Sequence, residues 1–281
     1  HPFRGFPMPI FLGWFVLAGL FLVYAATNGI LINSLPLIYP SLVAEFGWDQ
    51  AEVTRPATIF FVVTGLISPF SGAILDKLSP RTIMVIGVSL IIGALALYTQ
   101  ISALWQLTLI YVVFALGLAM GGLLASMVIL TRWFVTYRGL AVGIFLCASS
   151  AGGAFFPAIV GTTLDETGWR AAVLLMTLVG GAMMILPLIY PVRNHPRDMG
   201  LYADGAAEPP KETPAGPDQV SGGPTLIESI KSPVFYLLAF ATATMWFCIN
   251  GAIPHQALFL GTDIGLPIAP LAPLFSVFFV C

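Results

Sequence analysis

The residues of this sequence that could do chemistry are polar and aromatic side chains that interrupt long apolar runs. Tyr24 and Asn28 lie four residues apart, and Trp246 and Asn250 repeat that spacing much later in the chain. Residues four apart share one face of a helix. Each polar group inside an apolar helix costs free energy unless it meets water, protein or a ligand. Side chains of these types can donate and accept hydrogen bonds and can stack on other rings or on a bound molecule. The alternative is that they form interhelical hydrogen bonds or pack as rings.

Two further residues extend this set of candidates. Asn33 adds an amide to the later part of the first apolar run, and His255 follows Trp246 beside Pro254, which bends a helix. Histidine is the side chain whose charge changes near neutral pH. His255 is therefore the one titratable group that the sequence places near this set.

Catalysis by the protein is not expected. Ser149 and Ser150 have no acid or base near them in the sequence, so the chain is predicted not to be an enzyme. The cysteines and histidines are too scattered for a disulfide framework or a metal site, and no cofactor is expected. They are Cys147, Cys248, Cys281, His1, His195 and His255. A net charge of -2 gives no basic field for nucleic acid, and no phosphate-binding Gly-x-x-x-x-Gly-Lys-[Ser/Thr] loop is present to support ATP-driven work.

The composition shows which elements must hold the candidate side chains. The chain has 281 residues, of which 58% are hydrophobic and 9% charged, and its mean hydropathy is +0.94. A soluble domain carries about 25% charged residues, so this chain cannot cover a soluble surface. Lipid offers the backbone no hydrogen-bond partner, and apolar runs therefore cross a bilayer as helices of about 20 residues. The sequence predicts an all-α polytopic membrane protein.

Seven apolar runs are long enough to span a bilayer. They cover residues 11–38, 57–75, 83–98, 107–130, 140–160, 171–190 and 234–260. An eighth run begins near Pro270, and its part at 274–281 is too short to cross. Because the chain also begins at His1 rather than Met, the sequence is expected to be a fragment that ends inside a helix.

Lysine and arginine decide the expected orientation, because they are enriched in cytoplasmic loops. With the N-terminus inside, nine of the eleven fall on the cytoplasmic side, and only Arg55 and Arg170 fall outside. The nine are Arg4, Lys77, Arg81, Arg132, Arg138, Arg193, Arg197, Lys211 and Lys231. We therefore expect a multi-pass protein of the plasma (inner) membrane whose N-terminus and central loop are cytoplasmic.

Small and aromatic residues predict how these helices sit and pack. Glycine pairs at 117/121 and 139/143 would let helix backbones approach closely. The fifth helix carries small residues around Gly152 and Pro157, which favour close packing or, alternatively, a bendable contact. Five tryptophans lie at predicted helix ends, where an indole prefers the headgroup level. They are Trp14, Trp48, Trp105, Trp133 and Trp169.

The predicted helices fall into two blocks joined by a polar segment. Residues 1–192 hold six helices, and residues 233–281 hold the seventh and the start of the eighth. Residues 193–232 are rich in Pro, Gly, Ala and acidic residues without apolar periodicity. That composition is typical of a flexible linker.

The loop after the second helix carries the most specific motif. It reads Gly72-Ala-Ile-Leu-Asp76-Lys77-Leu-Ser-Pro-Arg81. A glycine lets the helix pack against a neighbour, the carboxylate can accept from helix N-termini, and the cations hold the loop at an anionic leaflet. The loop resembles the signature of the major facilitator superfamily, Gly-x-x-x-Asp-[Arg/Lys]-x-Gly-x-[Arg/Lys], with Ser79 at the second glycine. The alternative is an ordinary basic loop between two helices.

Four further segments are similar to the monocarboxylate and oxalate–formate transporter-like members of that superfamily. They are Phe-Gly-Trp-x-x-Ala-Glu-Val at 46–53, Trp-Phe-x-x-Tyr-Arg-Gly-Leu-Ala-x-Gly at 133–143, Gly-Trp-Arg-Ala at 168–171 and Pro-Arg-Asp-Met-Gly-Leu at 196–201. The resemblance implies a twelve-helix transporter of two six-helix halves, of which this chain holds the first half, helix 7 and part of helix 8.

The resemblance also implies where a solute would bind and what would gate it. In this fold helices 1, 4, 7 and 10 line a central cavity, and the mid-helix candidates are Tyr24, Asn28, Asn33, Trp246, Asn250 and His255. The gating motif would be Gly72, Asp76, Lys77 and Arg81, with Asp76 and Arg81 latching the cytoplasmic ends of the two halves. No Asp, Glu, Lys or Arg lies inside any predicted span. An anionic solute would then need a counter-ion from elsewhere.

The expected function is secondary active transport of a small solute by alternating access, with an organic monocarboxylate as the expected class. Proton symport and anion exchange both remain open, and the partners are the solute, a coupled proton and the lipid bilayer. The protein is expected to work as a monomer. The alternative is a membrane sensor or scaffold that retains the transporter fold without transport, since the loop motif concerns conformation rather than chemistry.

Overall fold

The computed structural model describes residues 11–205 and 231–258, and every regular element among them is helical. The α-helices are α1 (Gly13–Asn28), α2 (Tyr39–Phe46), α3 (Gln50–Lys77), α4 (Pro80–Tyr98), α5 (Leu104–Gly121), α6 (Leu123–Trp133), α7 (Arg138–Thr167), α8 (Trp169–Ile189) and α9 (Pro233–Leu258). A π-helical segment, Gly29–Ser34, and a 3-10 turn, Leu35–Ile38, join α1 to α2. The all-α prediction is confirmed for the part of the chain that the structure describes.

Six stretches of these helices are long and apolar enough to cross a membrane. They are the first span (Gly13–Phe46), the second (Gln50–Ser68), the third (Pro80–Tyr98), the fourth (Leu104–Trp133), the fifth (Arg138–Thr167) and the sixth (Trp169–Ile189). The chain is therefore an integral, multi-pass membrane protein. Helix α9 covers most of the seventh predicted run, and the eighth lies outside the described residues.

Successive spans alternate between two ends of the bundle. The Arg81 end holds residues 78–79, 134–137 and 190–205, and the Trp169 end holds residues 47–49, 99–103 and 168. Helix α3, which forms the second span, begins at Gln50, seven residues before the predicted apolar run, because Asp49 caps it. The backbone N–H of Asp49 in turn donates to the Glu52 carboxylate (3.1 Å). This reciprocal cap stabilises a polar first turn, which a count of apolar residues does not detect.

The first span is longer than its sequence predicted. The predicted run ends at residue 38, whereas the helical path continues to Phe46 and stops at Gly47, whose φ of 67° is the left-handed conformation that glycine adopts easily. Pro36 and Pro40 lack the N–H that an α-helix requires at each interior position. The chain passes through π and 3-10 turns around Pro36 and resumes as α2.

Helix contacts repeat between the first three spans and the second three. The first span packs against the fifth and sixth, and the fourth span packs against the second and third. The third and sixth spans also contact each other. Exchanging spans one to three with spans four to six reproduces this pattern, and the first and fourth spans run in opposite directions. The bundle is therefore built from two inverted three-span repeats.

Glycine allows one pair of helices to approach as predicted. A methyl group added at Gly87 of α4 would lie 2.4 Å from the backbone nitrogen of Gly121 and 2.7 Å from the carbonyl oxygen of Gly117. The prediction for the 117/121 pair is therefore confirmed. At Gly139 and Gly143 of α7, no atom of the described residues lies within 4 Å of such a methyl group.

Two of the tryptophans predicted to face the headgroups are buried instead. Trp133 ends α6 and Trp169 begins α8, as expected, but their exposed fractions are 0% and 4%. Their indole N–H groups donate to the Arg193 carbonyl oxygen (2.9 Å) and the Glu45 carboxylate (2.6 Å). A buried indole N–H needs an acceptor, and here the acceptors belong to the connection after α8 and to α2. By contrast, Trp105 at the start of α5 is 67% exposed.

The first part of the predicted linker contains two short turns. After α8 the chain forms 3-10 turns at Pro196–Met199 and Ala203–Gly205. Gly200 between them has a φ of 71°. Residues 206–230 lie outside the described residues, and the flexible linker stays a prediction.

Candidate functional site

The first span is interrupted where the sequence places two of its candidate residues. Asn28 ends α1, and Asn33 lies in the π-helical segment that follows. The Asn33 side-chain amide donates to the Asn28 carbonyl oxygen (3.2 Å), and the Ser34 hydroxyl donates to the Gly29 carbonyl oxygen (2.7 Å). Both bonds reach back five residues, which is the spacing of a π-turn. These side chains thus stabilise the interruption that they occupy.

Close contact with the fifth span fixes the position of this interruption. A methyl group added at Gly29 would lie 2.5 Å from the Gly152 carbonyl oxygen, and one added at Gly152 would lie 2.0 Å from the Ala25 carbonyl oxygen. Only hydrogen atoms fit at this crossing, so the two backbones are in direct contact. Gly152, one of the small residues of the fifth span, therefore serves close packing within the six-span bundle.

Tyr24 and Asn28 lie on this packed side of the first span. The Tyr24 ring stacks on Phe145 of α7, with centroids 4.8 Å apart and planes at 25°. The Asn28 side-chain amide donates to the Tyr24 carbonyl oxygen (3.3 Å). Their exposed fractions are 9% and 5%. The structure thus brings the two residues together, and these contacts are of the packing kind that the sequence left as the alternative.

Asn33 retains an unused acceptor. Its side chain is 5% exposed, and its amide oxygen has no hydrogen-bond partner among the residues that the structure describes. A buried amide oxygen without a donor costs free energy. The interruption therefore presents a buried acceptor to any donor that enters it.

The fourth span is interrupted as well, which sequence reasoning missed. Helix α5 ends at Gly121 and α6 begins at Leu123, with Gly122 between them at φ -89° and ψ -138°. The Ser126 hydroxyl donates to the carbonyl oxygen of Gly122, the residue that precedes α6 (3.1 Å). The adjacent glycines at 121 and 122 were the available signal, since paired small residues are a common cause of helix kinks.

The two interruptions occupy corresponding places in the inverted repeats. Sixteen residues of α1 precede the break in the first span, and eighteen residues of α5 precede the break in the fourth. Each break lies within its apolar span. The structure therefore places one irregular segment at matching depth in each repeat.

The candidates on the seventh helix are described only in part. Trp246 lies in α9 and is 50% exposed, and α9 contacts the 3-10 turn Leu35–Ile38 of the first span. The side chains of Asn250 and His255 lie outside the described residues. Their pairing with the first span therefore stays a prediction.

The loop motif is likewise described in part. At Gly72 an added methyl group would meet no atom of the described residues within 4 Å, and the side chains of Asp76 and Lys77 lie outside the description. Ser79, which stands at the second glycine of the signature, caps α4 by accepting from the Thr82 N–H (3.2 Å). The departure from the signature thus provides a helix cap.

Arg81 joins the third span to the sixth. Its guanidinium Nε and Nη2 donate to the Leu188 carbonyl oxygen (3.0 and 2.7 Å), and Nη2 also reaches that of Ile189 (3.5 Å). These carbonyls belong to the last turn of α8, which has no helical N–H groups left to bond them. A cation at the C-terminus of a helix also interacts favourably with its dipole. The partners of Arg81 among the described residues therefore lie within the six-span bundle.

Two of the family-like segments meet at the Trp169 end. Arg170 forms an ion pair with Glu45 at 2.7 Å and lies 4.3 Å from the centre of the Trp169 indole. The same carboxylate accepts from the Trp169 N–H. Phe46 stacks on Trp48, with centroids 4.4 Å apart, and also contacts Trp169. The sixth span thereby holds the Trp169 end of the first.

These features define a class of protein. Inverted three-span repeats with interrupted spans that carry buried polar groups recur in families of membrane transport proteins. The chain matches the Major Facilitator Superfamily over residues 8–281 and belongs to this family.

Curated relatives share about a quarter of their residues with this chain. A probable hexose phosphate transport protein of Chlamydia trachomatis is 26% identical over 65% of the chain and 41% of its own length. Monocarboxylate transporter 11 of Homo sapiens is 27% identical over 64% of the chain and 39% of its own length. The membrane sensor protein UhpC of Escherichia coli is 26% identical over 59% and 38%. The chain thus spans less than half the length of these relatives.

A solved structure shares the fold. It is a bacterial homologue of the human lysosomal transporter Spinster, in an inward-facing and unoccupied conformation. The TM-score is 0.67 at 19% identity, and the match covers 95% of this chain and 60% of the other. This similarity confirms the major facilitator fold.

Proposed function

We propose that the chain is part of a secondary active transporter that moves a small solute by alternating access. The observation that carries this proposal is the pair of matching interruptions, Gly29–Ile38 in the first span and Gly122 in the fourth. Interrupted spans at the interface of repeats are where such transporters bind solutes. Asn28 and Asn33 would contribute hydrogen bonds there, and Trp246, Asn250 and His255 would face them from the seventh helix.

The proposed solute is an organic monocarboxylate. Interruption of the fourth span gives α6 an N-terminus inside the bilayer, and Leu123 and Leu124 beside it are 39% and 44% exposed. The N-terminus of a helix carries partial positive charge and attracts an anion. One carboxylate is better matched to such a site than a phosphate dianion, which usually takes paired cations. The predicted spans contain no Lys or Arg, which disfavours a hexose phosphate.

Sidedness and gating follow from the same proposal. The Arg81 end would face the cytoplasm, since Lys77, Arg81, Arg138 and Arg193 lie there. Asp76 would latch the two halves at that end, while Arg81 holds the third and sixth spans together. We expect Asp76→Asn to lower solute uptake at equal surface expression, and unchanged uptake would contradict the latch.

The solute class can be tested with the complete gene product in proteoliposomes. We expect counterflow of labelled lactate or formate that is absent from protein-free vesicles, and none of a labelled hexose phosphate. Failure of both monocarboxylates together with transport of a neutral solute would overturn the carboxylate assignment and leave secondary transport in place. Transport of the hexose phosphate alone would overturn the monocarboxylate assignment, because it would require cations that the predicted apolar runs lack.

The role of Asn28 can be tested against a matched residue. We expect Asn28→Ala to raise the KM for uptake about tenfold, because a lost hydrogen bond to a charged group costs at least that factor. Ser89→Ala is the control, since the Ser89 hydroxyl also donates to a carbonyl one turn back (2.8 Å) but lies on α4, away from the first span. An equal, small effect of both variants on KM would show that Asn28 only packs.

A membrane sensor is the second candidate, and the similarity to the UhpC sensor favours it. Such a protein would bind a solute at the same site without moving it. Saturable binding of a labelled carboxylate to the purified protein, without counterflow, would support the sensor. Counterflow would exclude it.

A further inference from the structure

The segment after the sixth span, residues 191–205, lies across the Arg81 end of the bundle. The Arg193 carbonyl oxygen accepts from the Trp133 indole N–H, and the Asn194 side-chain oxygen accepts from the Arg81 backbone N–H (2.9 Å each). Val192 is completely buried. The start of the segment is therefore bound to the first turn of the third span and to the end of the fourth.

Asp204 binds the other end of the segment. Its Oδ2 accepts from the backbone N–H groups of Val135 and Thr136, at 3.1 and 2.7 Å. Both belong to the connection between α6 and α7. A carboxylate forms stronger hydrogen bonds with backbone N–H groups than a neutral acceptor does. Asp204 has a φ of 57°, and aspartate is among the few non-glycine residues that tolerate this conformation.

The beginning of the first span completes the same assembly. The Phe11 ring packs edge-on against Phe134 with centroids 5.7 Å apart, and tilted against Trp133 at 6.0 Å. A methyl group added at Gly205 would lie 3.0 Å from the Phe11 ring. The segment therefore contacts connections or ends of the first, third, fourth, fifth and sixth spans.

We propose that residues 191–205 form a strap that makes these five spans move as one body, and that Asp204 is its principal positioning residue. The proposal rests on the transport function given above. Helix α7 begins just after the residues that Asp204 holds and crosses the first span at Gly152, next to the interruption. A bundle whose ends are held in this way can rock about the solute site without internal shear. Because the strap lies at the end of the bundle, it affects the conformational step rather than solute affinity.

The contact itself can be tested without transport. In the complete gene product, we expect Asp204→Asn to accelerate amide hydrogen exchange about tenfold in peptides that cover residues 134–137, because the charge-assisted bonds weaken. Asparagine tolerates the same φ, and Asp204→Gly gives a second variant free of backbone strain. The control is Asp165→Asn, an exposed carboxylate near the end of α7. Exchange unchanged in both Asp204 variants would overturn the strap.

Uptake kinetics then distinguish a positioning role of Asp204 from an effect on protein stability alone. We expect Asp204→Asn to lower the Vmax of uptake about fivefold, with the KM unchanged and the amount of folded protein in the membrane equal. Faster exchange accompanied by a raised KM or an unchanged Vmax would overturn the positioning role. If the wild type moves no solute, the proposed transport function fails, and the exchange measurement still decides whether Asp204 holds the connection.

Discussion

Gly152→Ala is expected to destabilise the protein by about 3 kcal/mol, the upper part of the range for overpacked sites. The added methyl carbon would lie 2.0 Å from the Ala25 carbonyl oxygen and 2.7 Å from the Ala25 carbonyl carbon. Backbone atoms cannot turn aside as a flexible side chain can, so the first and fifth spans must separate. Thermal unfolding of the detergent-solubilised protein, followed by tryptophan fluorescence, measures the loss.

The same helix provides the control for this prediction. Gly143 is also helical and lies in α7, but an added methyl group there meets no described atom within 4 Å. Alanine is a better helix former than glycine by up to about 1 kcal/mol, so Gly143→Ala should be neutral or stabilising in the folded bundle. Equal unfolding temperatures for the two variants would show that the crossing at Gly152 is looser than described.

Separation of these two spans should also affect transport. The crossing lies beside the interruption of the first span, where Gly29 meets Gly152. The fraction of Gly152→Ala that folds is therefore expected to take up less solute than an equal amount of Gly143→Ala.

Arg81→Ala is expected to destabilise the protein by about 2 kcal/mol, the usual size for hydrogen bonds that involve a charged group. The guanidinium donates twice to the Leu188 carbonyl oxygen, which would otherwise lack a partner at the end of α8. Arg81→Lys should recover only part of this stability, because an ammonium group cannot reproduce the planar fork of donors. Denaturant or thermal unfolding in detergent measures the change in stability of each Arg81 variant.

Arg55→Ala is the matched control for this measurement. Arg55 is exposed near the start of α3, and replacement of an exposed surface residue normally changes stability by less than about 0.5 kcal/mol. A similar small change for Arg81→Ala would contradict the link between the third and sixth spans. Arg81 would then have no stabilising role between these two spans.

Much of the fold could be predicted from the sequence because its determinants are local. Runs of apolar residues identify spanning helices wherever they occur, since the bilayer imposes the same length on each. The predicted starts of helices were wrong where the first turn is polar. At Gln50, the cap formed by Asp49 and Glu52 extends α3 beyond its apolar run. The close helix contact at Gly117 and Gly121 could also be predicted, because closely packed helices often carry small residues four positions apart.

The candidate site could be predicted only in outline. Polarity within an apolar run identified Asn28 and Asn33, yet it could not show that Asn33 donates to a carbonyl of its own helix. The break at Gly122 left only a pair of glycines in the sequence, which many continuous helices also contain. Buried Trp133 illustrates the same limit, because a tryptophan at a helix end faces lipid headgroups or a carbonyl oxygen depending on the neighbouring connection.

The sequence by itself determined membrane residence, the number of spans in the described bundle and membership of the Major Facilitator Superfamily. Those properties depend on hydropathy and on short motifs, which each segment carries alone. Tertiary structure alone decided that Gly152 meets Ala25, that Arg81 bonds the end of α8, and that Asp204 holds the connection before α7. Each of these contacts joins residues more than 60 positions apart, and their meeting depends on how every intervening helix packs.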